Sequence, residues 1–185
     1  MPAWAAVTDS PSSDTPSPDD GPAAPIPFDS REFRNVLGHF ATGVTVVTGI
    51  AEGVPLGLAA NAFSSVSLDP PLILVCMAAT SETWPAIRKT GAFAVNVLGE
   101  HQEEISRRFG RKDVDRFAAL EWETSATGSP VFPDALAWID CTIEDEHSAG
   151  DHTVVIGRVV ALARQPEGGR PLLFFQGGYG RLAPL

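Results

Sequence analysis

The chain has 185 residues, enough for one sizeable hydrophobic core, and its 13 Lys plus Arg against 23 Asp plus Glu give a formal charge of −10. That balance sets long-range repulsion against nucleic acid and anionic membranes, so neither is an expected partner. No basic segment followed by an apolar stretch opens the chain, and no apolar run approaches the roughly 20 residues of a membrane span; the expected compartment is the cytoplasm.

Residues 1–25, MPAWAAVTDSPSSDTPSPDDGPAAP, are crowded with Pro, Ser and Asp and contain no Lys or Arg. Such a segment buries too little apolar surface to offset the entropy of ordering it, and it reads as a disordered leader before one domain over residues 26–185. Asp29 followed by Glu32 resembles a capping box, and Phe33, Val36, Leu37 and Phe40 fall at helical spacing, predicting a helix over roughly Ser30–His39. After a turn at Thr42-Gly43, VTVVTG is rich in β-branched residues and suits a strand, with VPLGLAANAF as its hairpin partner.

The double proline of SLDPPLILVCMA places a turn before a strongly apolar strand. Ser81 or Thr83 is then placed to cap a short helix through Trp84, Ile87 and Arg88, with Pro85 tolerated in its first turn. FAVNVL reads as a strand and EEISRRF as a helix with Ile105 and Phe109 on one side. AWIDCTI, TVVIGRVVAL and PLLFF complete six or seven strands. With so few helices, the expected fold is mainly β, a closed or nearly closed barrel without exposed edges. Cys76 and Cys141 both lie in apolar strand-like runs without CxxC spacing, and read as buried thiols of a reducing compartment.

Three stretches carry candidate chemistry. Asn61-Ala62-Phe63-Ser64-Ser65-Val66-Ser67 puts an amide and three hydroxyls between two strands, a composition suited to the rim of a flat ligand with polar edges; a loop that caps its own backbone is the competing reading. Thr80-Ser81-Glu82-Thr83 stands at a helix start, where amides and hydroxyls hold a phosphate or cap the helix themselves. HSAGDH, His147–His152, offers a metal site, an acid/base pair or a polar loop. Gly150 and the following TVVIGRVVAL make it a turn entering a strand, and no HxH or HExxH pattern supports a metal. His152, at the strand start, is the best isolated functional candidate.

The ordered set FRNVLGHFATGVTVVTG, GLAANAFSSVSLDPPLILVCM, SETWPAIRKTGAFAVNVLGEHQEEISRRFG, SPVFPDALAWIDCTIEDEHSAGDHTVVIGRV and PLLFFQGGYG resembles the short-chain flavin reductases of two-component flavin-dependent monooxygenases. The likeness is greatest to those serving hydroxylases of phenols and steroid-derived aromatic rings. It implies an FMN-binding split β-barrel, a homodimer, and transfer of hydride from NADH or NADPH to FMN or FAD for a partner monooxygenase. It further implies a flavin rim at Asn61, Ala62, Phe63, Ser64 and Ser65, joined by Thr42 and Phe109, and phosphate-side hydroxyls at Ser81 and Thr83 with Trp84 adjacent. Gly150 and Asp151 lead to His152 beside the nicotinamide, with Tyr179 near the same pocket. Ala59 stands where the resemblance leads one to expect threonine. Two other readings stay open: a barrel that keeps its flavin and reduces another acceptor, and a non-catalytic flavin- or haem-binding protein.

Overall fold

A computed structural model describes residues 27–165 and 169–183; the leader expected over residues 1–25 lies outside them. Helix α1 (Ser30–Leu37) begins as its sequence predicts, because Asp29 Oδ1 accepts hydrogen bonds from the amides of Arg31 at 2.9 Å and Glu32 at 2.7 Å. None of its residues is buried. The Thr42-Gly43 turn expected next is instead a short strand, β1 (Thr42–Gly43), whose residues pair with Phe174 and Leu173.

Strands β2 (Thr45–Ala51), β3 (Val54–Ala60), β4 (Phe63–Leu68) and β5 (Pro71–Ala78) lead to the short helix α2 (Trp84–Arg88), then β6 (Ala92–Val97) and helix α3 (Glu103–Phe109). The small pair β7 (Glu123–Thr124) and β8 (Pro130–Val131) precedes two long strands, β9 (Ala137–Ala149) and β10 (His152–Arg164). A final hairpin, β11 (Leu172–Phe175) and β12 (Gly178–Arg181), joins β1 in a sheet of its own. The PLLFF run therefore does not enter the main sheet.

That main sheet has seven strands in the order β3-β2-β6-β9-β10-β5-β4. Its two outer strands, β3 and β4, are consecutive in the chain and joined by Asn61-Ala62, so the sheet curls back on itself without a hydrogen-bonded ladder closing the seam. The expectation that Asn61–Ser67 forms a loop is corrected here: Phe63–Leu68 is an edge strand, registered with Phe63 opposite Val75 and Ser64 opposite Leu74. Its alternating side chains suit a strand as well as a loop. Phe63 packs on the core while Ser64 and Ser65 are exposed.

Strand β2 explains how the two sides of the barrel are filled. Val47 joins Val75, Met77, Phe93, Val95 and Val155 in one core, while its neighbour Val46 joins Leu98, Phe109, Phe132 and Leu172 in another. Side chains alternate across a strand, so one β-branched run feeds both. The segment carrying β7 and β8 is fastened by buried polar groups. Asn96 Oδ1 accepts the Phe132 amide at 2.7 Å, and the Asp140 carboxylate accepts the Thr127 amide at 2.8 Å and its hydroxyl at 2.6 Å. Both are fully buried, so these bonds prevent the penalty of leaving such groups unpaired. Phe132 is thereby held against Phe109, at 5.6 Å between ring centroids, and against Phe117, at 6.4 Å.

Candidate functional site

Phe109 and Phe117 form one wall of a cleft of about 580 Å³ that runs along β3 and under the turn at residues 78–83. Gly57 lies on its floor. A Cβ there would come within 2.6 Å of the Phe109 ring, so only glycine lets the strand and the aromatic wall approach this closely.

At one end of the cleft stands a cationic group that the sequence reading missed. The Arg116 guanidinium donates from Nη1 to the Gly57 carbonyl at 2.7 Å and to the Thr83 hydroxyl at 2.8 Å, while its Nε donates to the Arg111 carbonyl at 2.8 Å. Three acceptors fix the fork and leave Nη2 without a partner among the described residues. Lys112 reaches the same end and pairs with Glu82 at 2.8 Å. That ammonium holds the Glu82 carboxyl below its ordinary range, chiefly through the hydrogen bond. The RKDVDR run after α3 was the available signal, but its last arginine meets Thr83 across 33 positions that only the fold brings together.

Ser81 and Thr83 line this cleft together, with different local duties. Ser81 Oγ accepts the Trp84 amide at 3.1 Å and so starts α2, whereas Thr83 makes no side-chain cap and spends its hydroxyl on Arg116. Trp84 is buried and belongs mainly to the core, stacking edge-on against Phe93 at 5.8 Å. Phe109 is likewise core as much as cleft wall.

The cleft continues along β3. Ala59 lines it and also lines a shallow cavity of about 180 Å³ bounded by Asn61, Ser106 and Tyr179. The Tyr179 hydroxyl lies 2.8 Å from Ser106 Oγ, and the Arg107 guanidinium covers the tyrosine ring at 4.7 Å from its centroid. The structure thus brings Tyr179 to Asn61. Its strand, β12, belongs to the separate three-stranded sheet. Thr42 stands on the far side of Asn61, in an apolar cavity with Phe33, Phe40 and Ala62, where its hydroxyl is buried without a partner.

HSAGDH forms the end of the β9–β10 hairpin. Gly150, at φ +62°, makes the turn, Ala149 pairs with His152, and His147 belongs to β9 and is exposed. The Asp151 carbonyl accepts the Ala79 amide at 2.9 Å, tying the hairpin tip to the 78–83 wall of the cleft. His152 sits opposite Ala78 in the register, on the sheet face away from the core residue Met77, with its ring partly exposed. Its Nδ1 lies 2.7 Å from Asp151 Oδ1, and this hydrogen bond, reinforced by charge when the ring is protonated, holds the Asp151 carboxyl below its ordinary range. His152 therefore stands at the rim, beside the wall rather than inside the cleft. Among the described residues no group of three or more His, Cys, Asp or Glu is arranged to hold a metal.

Cationic donors at one end, a floor without side chain, aromatic and aliphatic walls, and an amide with a phenol at the other end suit a flat ring system carrying a phosphorylated polyol. Comparison with known proteins agrees. Residues 37–183 match the flavin reductase like domain. The chain is 48% identical over 165 residues to the reductase subunit HsaB of a flavin-dependent monooxygenase from Rhodococcus jostii, covering 89% of this chain and 84% of that protein. The crystal structure of a nitrilotriacetate monooxygenase component B homologue from Mycobacterium thermoresistibile superposes with a TM-score of 0.81 at 48% identity, covering 83% of this chain and 87% of that one. An NADH:FAD oxidoreductase, SgcE6, from Streptomyces globisporus, solved with NAD and FAD fragments, gives 0.77 at 37% identity over 84% and 94% of the two chains. Fold and trough thus define a β-barrel oxidoreductase of the flavin-using kind. The chain belongs to the flavin reductase like domain family.

Proposed function

We propose that the trough along β3 binds FMN or FAD with the phosphate at the Arg116, Lys112 and Thr83 end and the ring toward Asn61 and Tyr179, and that the protein reduces this flavin with NADH or NADPH for use by a partner monooxygenase. The observation that carries the reading is the Arg116 fork, fixed on Gly57 and Thr83 with one nitrogen left over at the mouth of a cleft. A preorganised guanidinium offers a phosphate oxygen a charge-assisted hydrogen bond without further ordering cost.

Bound flavin supplies the chemistry, accepting hydride from the reduced nicotinamide. The chain supplies position and shielding. The Asn61 amide offers a donor and an acceptor to a ring edge, and Gly57 allows a close approach to the strand. His152, kept by Asp151 in one orientation, presents Nε2 from the rim, where a single hydrogen bond would orient a carboxamide. No proton need pass through the ring for hydride to move, so the imidazole is assigned to positioning. Lys112 and Glu82 at the phosphate end are 64% and 76% exposed, which favours exchange of flavin over permanent retention.

The proposal includes a second copy of the chain. Phe33, Val36, Leu37 and Phe40 on and after α1 are 49–78% exposed, and an eight-residue helix with no buried face is marginal by itself. A partner subunit covering that face would lie next to Thr42, Asn61 and Ala62. Steady-state oxidation of NADH and NADPH with FMN and FAD, run beside light-scattering mass measurement, tests both parts. No flavin-dependent oxidation of either nucleotide would refute the activity, and a monomer at micromolar concentration would refute the pairing.

A further inference from the structure

Two ties cross the trough at its cationic end, and they differ in kind. The inner one is the half-buried Arg116 fork, which joins Thr83 of the 78–83 wall to the segment after α3. Its three acceptors are uncharged oxygens, two carbonyls and a hydroxyl, so the guanidinium keeps its full charge for a ligand. The outer tie is the Lys112–Glu82 ion pair, 2.8 Å long, between the same two walls. Here the cation is already neutralised by a carboxylate.

A carboxylate at this place runs against the electrostatics of an anion site. Glu82 stands between Ser81 and Thr83, which line the cleft with it, and a phosphate monoester carries roughly −1.5 to −2 charges at pH 7. The other charged residues lining the cleft are the two cations and Asp115, whose Oδ1 accepts the Phe117 amide at 3.1 Å. Lys112, and less strongly Arg116, hold the Glu82 carboxyl below its ordinary range, so it is ionised throughout the neutral range. The start of α2 does not require it, because the Trp84 amide is capped by Ser81 Oγ.

We propose that Glu82 competes with the flavin phosphate for Lys112 and so keeps flavin affinity low enough for the reduced product to leave. The inference rests on the flavin reading of the trough. An arriving phosphate meets the free nitrogen of the Arg116 fork directly, but it gains Lys112 only by displacing Glu82. Lys112 can make that exchange because an ammonium on a flexible four-carbon stem turns its three donors to a new partner, which the thrice-held guanidinium cannot do. As the phosphate departs, Glu82 recaptures the ammonium, so the pair lost on binding is regained on release. An exposed ion pair changes affinity by a few-fold rather than by orders of magnitude, which suits a protein that must both bind flavin and give it up.

The test is equilibrium titration of FMN and riboflavin into the full chain as parent, Glu82→Gln, Lys112→Met and the double variant. Glu82→Gln keeps the side-chain volume and removes the charge. It should lower the FMN dissociation constant about threefold, the size of one exposed ion pair, and leave riboflavin, which has no phosphate, unchanged. Displacement of FMN in stopped flow should slow by a similar factor. With Lys112→Met already present, only through-space repulsion is left to relieve, and the same substitution should gain less than about twofold. Unchanged or weaker FMN binding by Glu82→Gln, an equal gain for riboflavin, or the same gain with and without Lys112 overturns the proposal. A parent that binds no FMN refutes the flavin reading and this inference with it, whereas a parent that binds FMN while Glu82→Gln gains nothing refutes this inference alone.

Discussion

Replacing Arg116 by Met removes all five guanidinium donors while keeping an unbranched side chain of similar reach. The structure allows the consequence to be sized. A unit charge pair at about 4 Å is worth about 4 kcal/mol at an effective dielectric constant of 20. Arg116 is only half-buried, and salt screens charges beyond roughly 8 Å at physiological ionic strength, so we take about 2 kcal/mol, inside the usual 1.5–3 kcal/mol of a hydrogen bond to a charged group. That predicts an FMN dissociation constant about thirtyfold higher. Riboflavin shares the ring and polyol but has no phosphate, so its affinity should fall by no more than about threefold, the remainder reflecting loss of support for Gly57 and Thr83. Fluorescence titration with both flavins, at low and high salt, makes the comparison. Equal weakening of FMN and riboflavin would mean that Arg116 braces the cleft without meeting a phosphate, and an unchanged FMN constant would remove it from the site altogether.

His152→Ala should slow anaerobic flavin reduction or raise the nicotinamide KM by about tenfold, with flavin affinity unaltered; His147→Ala, on an exposed face of β9, should change neither, and equal rates for His152→Ala and parent in stopped flow would discard the assignment. Gly57→Val should destabilise the fold by about 1–3 kcal/mol and weaken flavin as well, because its Cβ lies 2.6 Å from a Phe109 ring atom that is itself in the core; urea melts and flavin titration report the two effects. The Cys141 thiol is pushed up from 9.0 to about 12, first by burial and then by the neighbouring Asp140 charge, so native protein at pH 8 should leave it unlabelled by a thiol reagent until unfolded. The sign follows by linkage: the raised value favours the folded state below about pH 9 and that contribution is lost as pH climbs toward 12, which alkaline denaturation of a Cys141→Ser variant would check.

Much of the architecture is local and could be read along the chain. The Asp29 cap, the short helix opening at Trp84 and the strands β2, β5, β6, β9 and β10 follow from capping, proline placement and alternation, interactions among residues a few positions apart. The turn at Gly150 was legible for the same reason. Edge strand β4 was misread because Asn61–Ser67 alternates weakly between polar and small residues, and only pairing with β5 selects extended structure over a loop. The family, too, was carried by the linear order of motifs, and the flavin reductase like domain indeed spans residues 37–183.

What the linear order leaves undetermined is which distant groups share a cavity. Arg116 meets Gly57 and Thr83 across 59 and 33 positions, Tyr179 reaches Ser106 across 73, and Arg88 finds Glu146 across 58. No propensity or periodicity encodes such meetings, because they are set by the strand order β3-β2-β6-β9-β10-β5-β4 and by the packing of Phe132 on Phe109 and Phe117. Tyr179 is brought to Asn61 for this reason, carried there by a second sheet. Composition and pattern determined that the chain builds a curled β-sheet with polar residues at its strand ends; the tertiary structure alone decided which of those ends face one trough, since a site's charge and shape arise from through-space contacts between elements far apart in sequence.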